Sequence, residues 1–358
     1  MNDAKFRDLI SGHRRGVASS LLRGGLSLLS VPYRAGVFLR NKSFDLGLRR
    51  VSRAEAPVIS VGNVTAGGTG KTPFVAYLAN WFRERGAKVV LLSRGYRALE
   101  GEVNDEKLVL DQQCPGVAHL QNPDRVRSAE AACRDHSAEV IILDDGFQHR
   151  RLHRDLNIVL IDALNPWGYG HLLPRGLMRE PLSALRRADV VVMTRADQCS
   201  SDQRRHLVAE LKNAGVRQWV EVAFAPTQFI NGNAKTCDIN TFESQTVAAF
   251  CGIGNPSGFR KTLKDVGYEP AFFEVFPDHH HYTTQDLETL TQHPIADSVQ
   301  ILLTTQKDLV KLQADDVRDI PIWAVEIGVR VLEGKDILDR RLQQIDSRRS
   351  SIEHLQDS

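Results

Sequence analysis

A glycine-rich segment, TAGGTGKTPF, runs from Thr65 to Phe74 directly after the apolar run VISVGN. Glycines let backbone N–H groups turn toward phosphate oxygens, and the start of the following helix adds partial positive charge. In this pattern the lysine reaches the β- and γ-phosphates and the next hydroxyl holds Mg²⁺. The segment therefore predicts a nucleotide-phosphate site, although Thr65 stands where the general pattern GxxxxGK[ST] has glycine. The residues that we assign to the cradle are Thr65, Gly67, Gly68, Thr69, Gly70, Lys71 and Thr72, the last also as a metal ligand.

Two aspartates, Asp144 and Asp145, follow the apolar run VIIL. They are expected at the carboxyl end of a parallel strand, where ligands gather in open α/β sheets. An acidic residue at this place completes the Mg²⁺ shell in P-loop enzymes. Neighbouring side chains point apart at a strand end, so only one is expected to hold the metal, and the residues leave open which one. We assign Asp144 to the metal and Asp145 to catalysis.

The elements that must position these residues alternate between short apolar runs and helical segments. PVISVGN, KVVLLSRGY, EVIILDD, NIVLIDA and ADVVVMTRAD are typical of buried strands, and TPFVAYLANWFRERG is typical of a helix. This alternation predicts an α/β fold, a P-loop NTPase-like parallel sheet with helices on both faces. A second βαβαβ rhythm runs from TVAAFCGIGN to SVQILLTTQKD and predicts a smaller α/β second lobe.

Five segments follow from these patterns, and RQWVEVAFAPTQFING is expected to form two strands around Pro226, which suits a short linker between the lobes. The segments are 1–50, amphipathic and basic; 51–216, the P-loop core; 217–240, a two-stranded hinge or linker; 241–330, the smaller α/β lobe; and 331–358, a charged helical tail.

Composition excludes several classes of protein. The 358 residues are 42% hydrophobic and 25% charged, as in soluble globular proteins, and a net charge of +2 does not suggest nucleic-acid binding. The five scattered cysteines lack a CxxC pair, which favours a reducing cytosol over a disulfide scaffold or a zinc site. No apolar run approaches the ~20 residues that span a bilayer, and the N-terminus is not typical of a cleaved signal.

Residues 17–34 separate into two faces on a helical wheel, which predicts an N-terminal amphipathic helix. Such a helix with a basic surround can lie in a membrane interface, or it can pack on the protein's own core. The basic residues favour the membrane. The apolar half contains Val17, Leu21, Leu22, Leu26, Leu28, Leu29 and Tyr33, and the surrounding cations are Arg14, Arg15, Arg40, Lys42, Arg49 and Arg50.

Taken together and in order, several segments resemble the tetraacyldisaccharide 4′-kinase (lipid A 4′-kinase) family. The resemblance runs from about Val58 to about Asp308, and the loop of this family is similar to TxGGxGKTP, which accounts for Thr65. The segments are VGNVTAGGTGKTP, SRGY, LDDGFQHRRLHRD, GYGHLLPRGLMREPLSAL, CGIGNPSGF and FPDHHHYT.

The resemblance implies a peripheral enzyme at the cytoplasmic face of the bacterial inner membrane. It would use ATP and Mg²⁺ to phosphorylate the 4′-hydroxyl of a tetraacylated glucosamine disaccharide 1-phosphate, giving lipid IVA. The implied partners are this lipid A disaccharide precursor and an anionic membrane surface. No nucleic acid and no obligate protein partner is expected.

The resemblance also implies roles for individual residues. Gln148 and His149 follow the acidic pair, and Arg179 and Glu180 match the REP motif near the active site; we assign all four to substrate binding. The catalytic dyad of the family combines the histidine of FPDH with the aspartate of a GDEP-like motif.

The dyad histidine corresponds to His279, and we assign the aspartate to Asp105. The segment here reads VNDEKLVL, with Asn104 and Lys107 in place of glycine and proline. A histidine near neutral pKa can take the proton of a sugar hydroxyl, and a carboxylate on its other ring nitrogen stabilises the imidazolium. Because Lys71 and the dyad histidine fall on different predicted lobes, we expect catalysis to need lobe closure.

Two other interpretations remain open from the residues. One is a nucleotide-switched, membrane-bound P-loop ATPase. The other is a GTP-dependent metal chaperone, suggested by the histidine run and by the turn TRAD at 194–197. Three consecutive histidines on an extended segment cannot all face one ion, which argues against the metal site. Asp197 of that turn is interpreted as a strand-end turn residue.

Overall fold

The structure, a computed structural model, describes residues 3–95, 105–278, 280–293, 298–312 and 316–356. Contacts divide the chain into two compact units. The first unit comprises Met1–Gly95, Val117–Ala223 and Arg330–Ser358, and the second comprises Tyr96–Gly116 and Phe224–Val329.

The strands are numbered in chain order. They are β1 (Val58–Asn63), β2 (Val89–Ser93), β3 (Ala118–Gln121), β4 (Val140–Asp144), β5 (Leu156–Asp162), β6 (Val190–Thr194), β7 (Trp219–Ile230), β8 (Thr236–Asp238), β9 (Val247–Cys251), β10 (Phe273–Val275), β11 (Ile301–Thr305), β12 (Asp316–Val317) and β13 (Ile320–Glu333).

The helices are numbered in the same way. They are α1 (Asp3–Ser11), α2 (Val17–Asp45), α3 (Lys71–Arg83), α4 (Asp105–Gln113), α5 (Arg125–His136), α6 (Ser201–Asn213), α7 (Pro256–Asp265), α8 (Thr284–Thr291), α9 (Gln306–Leu309) and α10 (Lys335–Gln356).

The first unit is built on a parallel sheet in the order β7-β6-β5-β1-β4-β2-β3. Every residue of β1 is buried, as expected for a strand covered on both faces of its sheet. Ile141 and Leu143 of β4 pack with Val126 of α5, and Met193 of β6 packs with Leu207 of α6. The predicted α/β fold with a parallel sheet is confirmed.

Register in this sheet decides where the polar strand ends meet. Val61 of β1 lies opposite Asp144 of β4 on one side and Ile158 of β5 on the other. The phosphate loop that follows β1 therefore starts at the same edge of the sheet as the acidic pair that follows β4.

The second unit has its own parallel strands in the order β10-β9-β11-β13. Its core includes Phe250 of β9, Leu302 of β11 and Ile322 of β13. The short strands β8 and β12 pair antiparallel with β7 and β13. Within the described ranges this unit is thus also an α/β assembly with parallel pairing at its centre.

Pro226 does not divide two strands, contrary to the expectation from sequence. β7 runs without interruption from Trp219 to Ile230. Its pairing with β6 ends at Val222 and its pairing with β8 begins at Gln228. Pro226 therefore lies inside a continuous strand, between the stretch that pairs with β6 and the stretch that pairs with β8.

The predicted N-terminal helix is longer than the 17–34 pattern, since α2 extends from Val17 to Asp45 with Pro32 inside it. Most of the predicted apolar face is exposed, whereas Leu26 and Tyr33 are half-buried. Among the described residues, no helix combines the length and apolar character that crossing a bilayer requires. The exposed apolar side chains of α2 are Val17, Leu21, Leu22, Leu28, Leu29, Val31, Phe38 and Leu39.

Candidate active site

The phosphate loop joins the end of β1 at Asn63 to the start of α3 at Lys71. Gly67 has φ 124° and Gly70 has φ 78°, conformations that side chains with a Cβ rarely adopt. A Cβ built on Gly67 or Gly68 would meet no atom within 4 Å, so this backbone borders open space. The loop has the geometry that exposes N–H groups to an anion at a helix N-terminus.

Backbone pairing with residues 177–179 holds the start of the loop in place. The N–H of Ala66 donates to the carbonyl of Leu177 at 2.6 Å, and that of Arg179 donates to the carbonyl of Val64 at 2.7 Å. Thr65, which replaces the usual glycine, forms an isolated β-bridge with Met178 and is buried. The segment that contains the REP motif is therefore the direct neighbour of the phosphate loop.

A buried asparagine secures the far side of the loop. The Nδ2 of Asn63 donates to the Oγ1 of Thr69 at 3.2 Å, and its backbone carbonyl accepts from the Nε2 of Gln148 at 2.9 Å. One residue of the sheet thus connects the loop to the motif that follows β4. In the sequence, Asn63 could have been recognised as an amide at the end of a mostly apolar strand.

Asp145 lies at the centre of a cluster of charges. Its carboxylate is 3.6 Å from the Nζ of Lys71 and accepts from the Nη1 of Arg179 at 2.8 and 2.9 Å. Burial would raise the pKa of Asp145, but Lys71, Arg179 and Arg125 outweigh it and hold the pKa below its usual range. Asp145 is thus ionised at neutral pH and orients the lysine of the phosphate loop.

Asp145 also has φ 52°, in the left-handed region that aspartate tolerates better than most residues. The backbone thus leaves the extended conformation of β4 directly after the strand ends at Asp144.

Thr72 and Asp144 form the donor set that an Mg²⁺ ion would use. Thr72 stands in the first turn of α3, and Asp144 ends the strand paired to β1. Mg²⁺ in nucleotide sites takes one or two protein oxygens and completes its shell with phosphate oxygens and water. The described residues contain no group of three or more His, Cys, Asp or Glu that could hold a metal ion.

His149 is half-buried beside a run of arginines. Burial, then Arg125, Arg151 and Arg154, lower its pKa from 6.5 to about 4. The imidazole is therefore neutral at physiological pH. Within the described part of the chain its Nε2 is buried and has no hydrogen-bond partner.

The two charged side chains of the REP motif have different hydrogen-bond partners. Arg179 faces the phosphate loop through Asp145, and its Nη1 is also 3.5 Å from the Oε1 of Gln148. Glu180 is wholly buried, and its carboxylate accepts from Asn41 at 2.7 Å, Arg187 at 2.9 Å and Arg40 at 3.2 Å. Glu180 therefore binds α2 to the site segment, whereas Arg179 binds Asp145 beside the phosphate loop.

A further contact attaches α2 to the same motif. The hydroxyl of Tyr33 donates to the backbone carbonyl of Arg179 at 3.0 Å. The predicted membrane helix is thereby hydrogen-bonded to the residue that binds Asp145.

Two arginines at this site were not predicted from the sequence. Arg125 is the first residue of α5 and is buried. Burial and the nearby charge of Arg94 lower its pKa, and the charges of Asp145 and Asp144 oppose this lowering. Arg195, from the TRAD turn, pairs with Asp162 and donates to the carbonyl of Gly68 at 3.2 Å. Asp197 lies exposed in the turn that follows β6, as predicted.

In the second unit, Pro277 and Asp278 lie against the glycines of CGIGN. A Cβ on Gly252 would lie 3.0 Å from the carbonyl oxygen of Pro277, and one on Gly254 would lie 3.0 Å from the Oδ2 of Asp278. The close approach explains why these two motifs occur together. The Nε2 of His280 is 3.1 Å from the Oδ2 of Asp286, while His279 lies outside the described residues.

Asp105, the assigned dyad aspartate, is the first residue of α4 and belongs to the second unit. Its Oδ2 is 2.9 Å from the Nζ of Lys311, and both side chains are largely buried. The carboxylate is thus placed by an ion pair that the sequence motif did not reveal.

A parallel sheet with a phosphate loop after a central strand and an acidic pair after its neighbour defines a P-loop nucleotide-binding protein. Comparison with known proteins specifies which kind. The model of the tetraacyldisaccharide-1-P 4′-kinase family matches residues 22–345, and the chain belongs to this family. The resemblance found in the sequence motifs is confirmed.

Named relatives and a solved structure agree with this assignment. The tetraacyldisaccharide 4′-kinase of Anaeromyxobacter dehalogenans strain 2CP-C is 37% identical over 353 residues, covering 92% of each chain. That of Syntrophus aciditrophicus is 38% identical over 338 residues, covering 86% of this chain and 88% of the relative. A crystal structure of LpxK from Aquifex aeolicus in complex with ATP superposes with a TM-score of 0.74 at 31% identity, covering 90% of this chain and 99% of the other.

Proposed function

We propose that this chain transfers the γ-phosphate of ATP, with Mg²⁺, to the 4′-hydroxyl of a tetraacylated glucosamine disaccharide 1-phosphate, giving lipid IVA. The observation that carries this function is the open phosphate loop whose Lys71 pairs with Asp145, the carboxylate that also binds Arg179, in a chain of this kinase family. The substrate is the lipid A disaccharide precursor, and the reaction class is phosphoryl transfer to an alcohol.

The phosphate loop binds and orients the nucleotide. Backbone N–H groups around Gly67, Gly68 and Gly70 receive phosphate oxygens, and Lys71 neutralises charge that grows on the transferred group. Thr72 and Asp144 would hold Mg²⁺, whose charge would further neutralise the phosphate oxygens.

The acceptor hydroxyl needs a base because an uncharged alcohol is a poor nucleophile. We assign the base to His279 and its carboxylate partner to Asp105. As the hydroxyl oxygen bonds to the γ-phosphorus, its proton passes to the imidazole, and the bond from phosphorus to the bridging oxygen breaks with its electron pair leaving on ADP. The aspartate stabilises the imidazolium that forms.

The residues after the acidic pair contact the substrate in this assignment. Asp145 acts in catalysis by ordering Lys71 and Arg179 around the phosphate. Gln148, His149 and Arg179 supply polar contacts from one edge of the sheet. Glu180 acts indirectly, because its buried carboxylate fixes α2 beside the arginine.

The membrane assignment rests on α2. Its apolar side chains, among them Leu21 and Leu28, are exposed on a helix flanked by cations. A helix of this kind buries its apolar face at the boundary of acyl chains and headgroups. We place the protein as a peripheral enzyme on the anionic cytoplasmic face of the bacterial inner membrane, where a tetraacylated substrate resides.

The two alternative interpretations are not favoured. A switch ATPase or a GTP-dependent metal chaperone would not be expected to belong to a sugar-lipid kinase family.

A label-transfer assay tests the function. Wild-type protein with γ-labelled ATP, Mg²⁺ and the disaccharide 1-phosphate in detergent should yield labelled lipid. His279→Ala should lower kcat at least about 100-fold with ATP binding retained, whereas the control His281→Ala, in the same histidine run, should keep most of the activity. Wild-type protein that hydrolyses ATP without labelling lipid would refute the kinase assignment.

The membrane assignment is tested by flotation with vesicles that contain anionic lipid. Wild-type protein should float with the vesicles, and the Leu21→Asp, Leu28→Asp double variant should stay at the bottom of the gradient. Equal flotation of both proteins would exclude the apolar face of α2 as the membrane contact.

A further inference from the structure

The start of α4 is held by the segment that follows β11. The Nζ of Lys311 lies 2.9 Å from the Oδ2 of Asp105, with the lysine side chain 7% and the aspartate side chain 12% exposed. Two charges that are removed from water this far depend on one another, so the position of each is tied to the other. The partner of Asp105 is therefore a fixed feature of the fold.

The neighbouring pair on the same two segments is different. Lys307 is 3.5 Å from Glu106, and these side chains are 45% and 47% exposed. An exposed pair of this kind is screened by water and places its members weakly. One helix start thus carries a buried pair at Asp105 and a surface pair at the next residue.

The segment that carries Lys311 is itself well anchored. Thr305 caps α9 by accepting from the N–H of Asp308 at 3.2 Å, and the N–H of Lys311 donates to the carbonyl of Asp308 at 3.0 Å. At the other end of α4, the Nε2 of Gln113 donates to the Oε1 of Gln306 at 2.7 Å. Lys311 therefore projects from a fixed backbone toward a helix that is fastened at both ends.

We propose that Lys311 is the positioning residue of the phosphoryl-transfer reaction, holding the carboxylate of Asp105 in the orientation in which it supports the base. This inference rests on the proposed function, which assigns Asp105 to the dyad. A carboxylate that must meet one ring nitrogen of a histidine loses effectiveness when its side chain can rotate, because small misplacements of catalytic groups lower rates steeply. Lys311 acts through Asp105 and touches neither substrate nor nucleotide in this role.

The test compares Lys311→Met with the matched variant Lys307→Met in the full-length protein. Lys311→Met should lower kcat about 10- to 100-fold while the KM for ATP changes less than about twofold. Lys307→Met should keep wild-type kinetics. Lys311→Arg, which retains the charge, should restore activity to within about fivefold of wild type.

A double-mutant cycle separates positioning from general damage to the fold. If Lys311 acts through Asp105, the Asp105→Asn, Lys311→Met protein should be no slower than Asp105→Asn alone. If the two losses multiply instead, Lys311 does not act through Asp105 and the proposal is wrong. Should Lys311→Met fail to fold, Lys311→Gln is scored by the same criteria, with thermal melting as the check on folding.

Failure of this inference is distinguishable from failure of the proposed function. Wild-type kcat in Lys311→Met together with a strong loss in Asp105→Asn would overturn only the role of Lys311. Full activity in Asp105→Asn would overturn the dyad assignment, and the role of Lys311 with it.

Discussion

Asp145 in the first unit and Asp105 in the second are both assigned to catalysis, yet their surroundings differ. Asp145 is about one-third exposed, has a left-handed backbone and lies in the field of Lys71, Arg179 and Arg125. Asp105 is largely buried at the start of a regular helix and forms a close ion pair with Lys311. One carboxylate sits in an excess of positive charge and the other in a matched pair.

The difference shows what each surrounding is suited to do. Cations in excess around an open loop repel one another, and a bound anion relieves this repulsion. Their excess therefore favours the binding of a polyphosphate. A buried ion pair instead holds its carboxylate in one place. The charges around Asp145 thus suit the binding of a negatively charged nucleotide, and the ion pair of Asp105 suits a carboxylate that must keep one position.

Of the three variants in this comparison, Asp145→Asn should have the largest effect. Without the carboxylate, Lys71 and Arg179 lose the group that orders them, and kcat for lipid phosphorylation should fall at least about 100-fold. Label transfer at saturating ATP measures the effect, with Asp197→Asn in the exposed turn after β6 as the control. A fall of less than about fivefold would mean that the cations are ordered without Asp145.

His149 measures how strongly the positive surroundings act on a neighbouring group. Its folded-state pKa of about 4 lies below the ordinary value of 6.5, so between these values the unfolded chain binds more protons than the folded protein. The contribution of His149 to stability is therefore complete above pH 6.5 and is lost as pH falls toward 4. We expect a loss of about 2 kcal/mol, allowing for its partial exposure to solvent.

Urea unfolding at pH 7 and pH 4.5 tests this expectation. His149→Gln, which does not titrate, should lose less stability than wild type between the two pH values. The comparison of the two proteins cancels the other histidines whose pKa is also lowered, His153 and His171. An identical loss in both proteins would show that burial and the neighbouring arginines do not suppress the protonation of His149.

Arg125→Met should give the smallest of the three effects. It removes one buried cation of the cluster and leaves Lys71 and Arg179, so the Kd for ATP should rise about 10-fold. Arg127→Met, two residues along the same helix and with its side chain 81% exposed, is the matched control. Isothermal titration with Mg²⁺ and a non-hydrolysable ATP analogue measures the Kd of both variants. Equal Kd values for the two variants would mean that Arg125 does not contribute to nucleotide binding.

Much of the first unit could be predicted because its signals are local. The apolar run, the glycines and Lys71 lie within one short segment, and a parallel strand brings the next acidic pair to the same edge of the sheet. The fold class and the family followed from motifs of this kind. The same local approach was wrong at Pro226, because whether a proline interrupts a strand depends on which neighbours need its N–H.

The contacts that tune the site were beyond a local pattern. Glu180 was assigned to substrate from its motif, but the structure buries it against Arg40 and Arg187. Arg125 and Arg195 carried no recognisable signal, since an arginine at a helix start or in a turn is ordinarily a surface residue. Their importance depends on which strand ends and loops approach them in three dimensions.

The sequence by itself determined a phosphate loop, an acidic pair at a parallel strand end, an amphipathic N-terminal helix and membership of a kinase family. Those properties depend on residue type and short spacing, which the chain displays directly. Only the tertiary structure decided that the REP motif fastens α2, that Asp145 lies among Lys71, Arg179 and Arg125, and that Lys311 holds Asp105. Such pairs join residues far apart in the chain, and burial makes their charges interdependent only after the chain has folded.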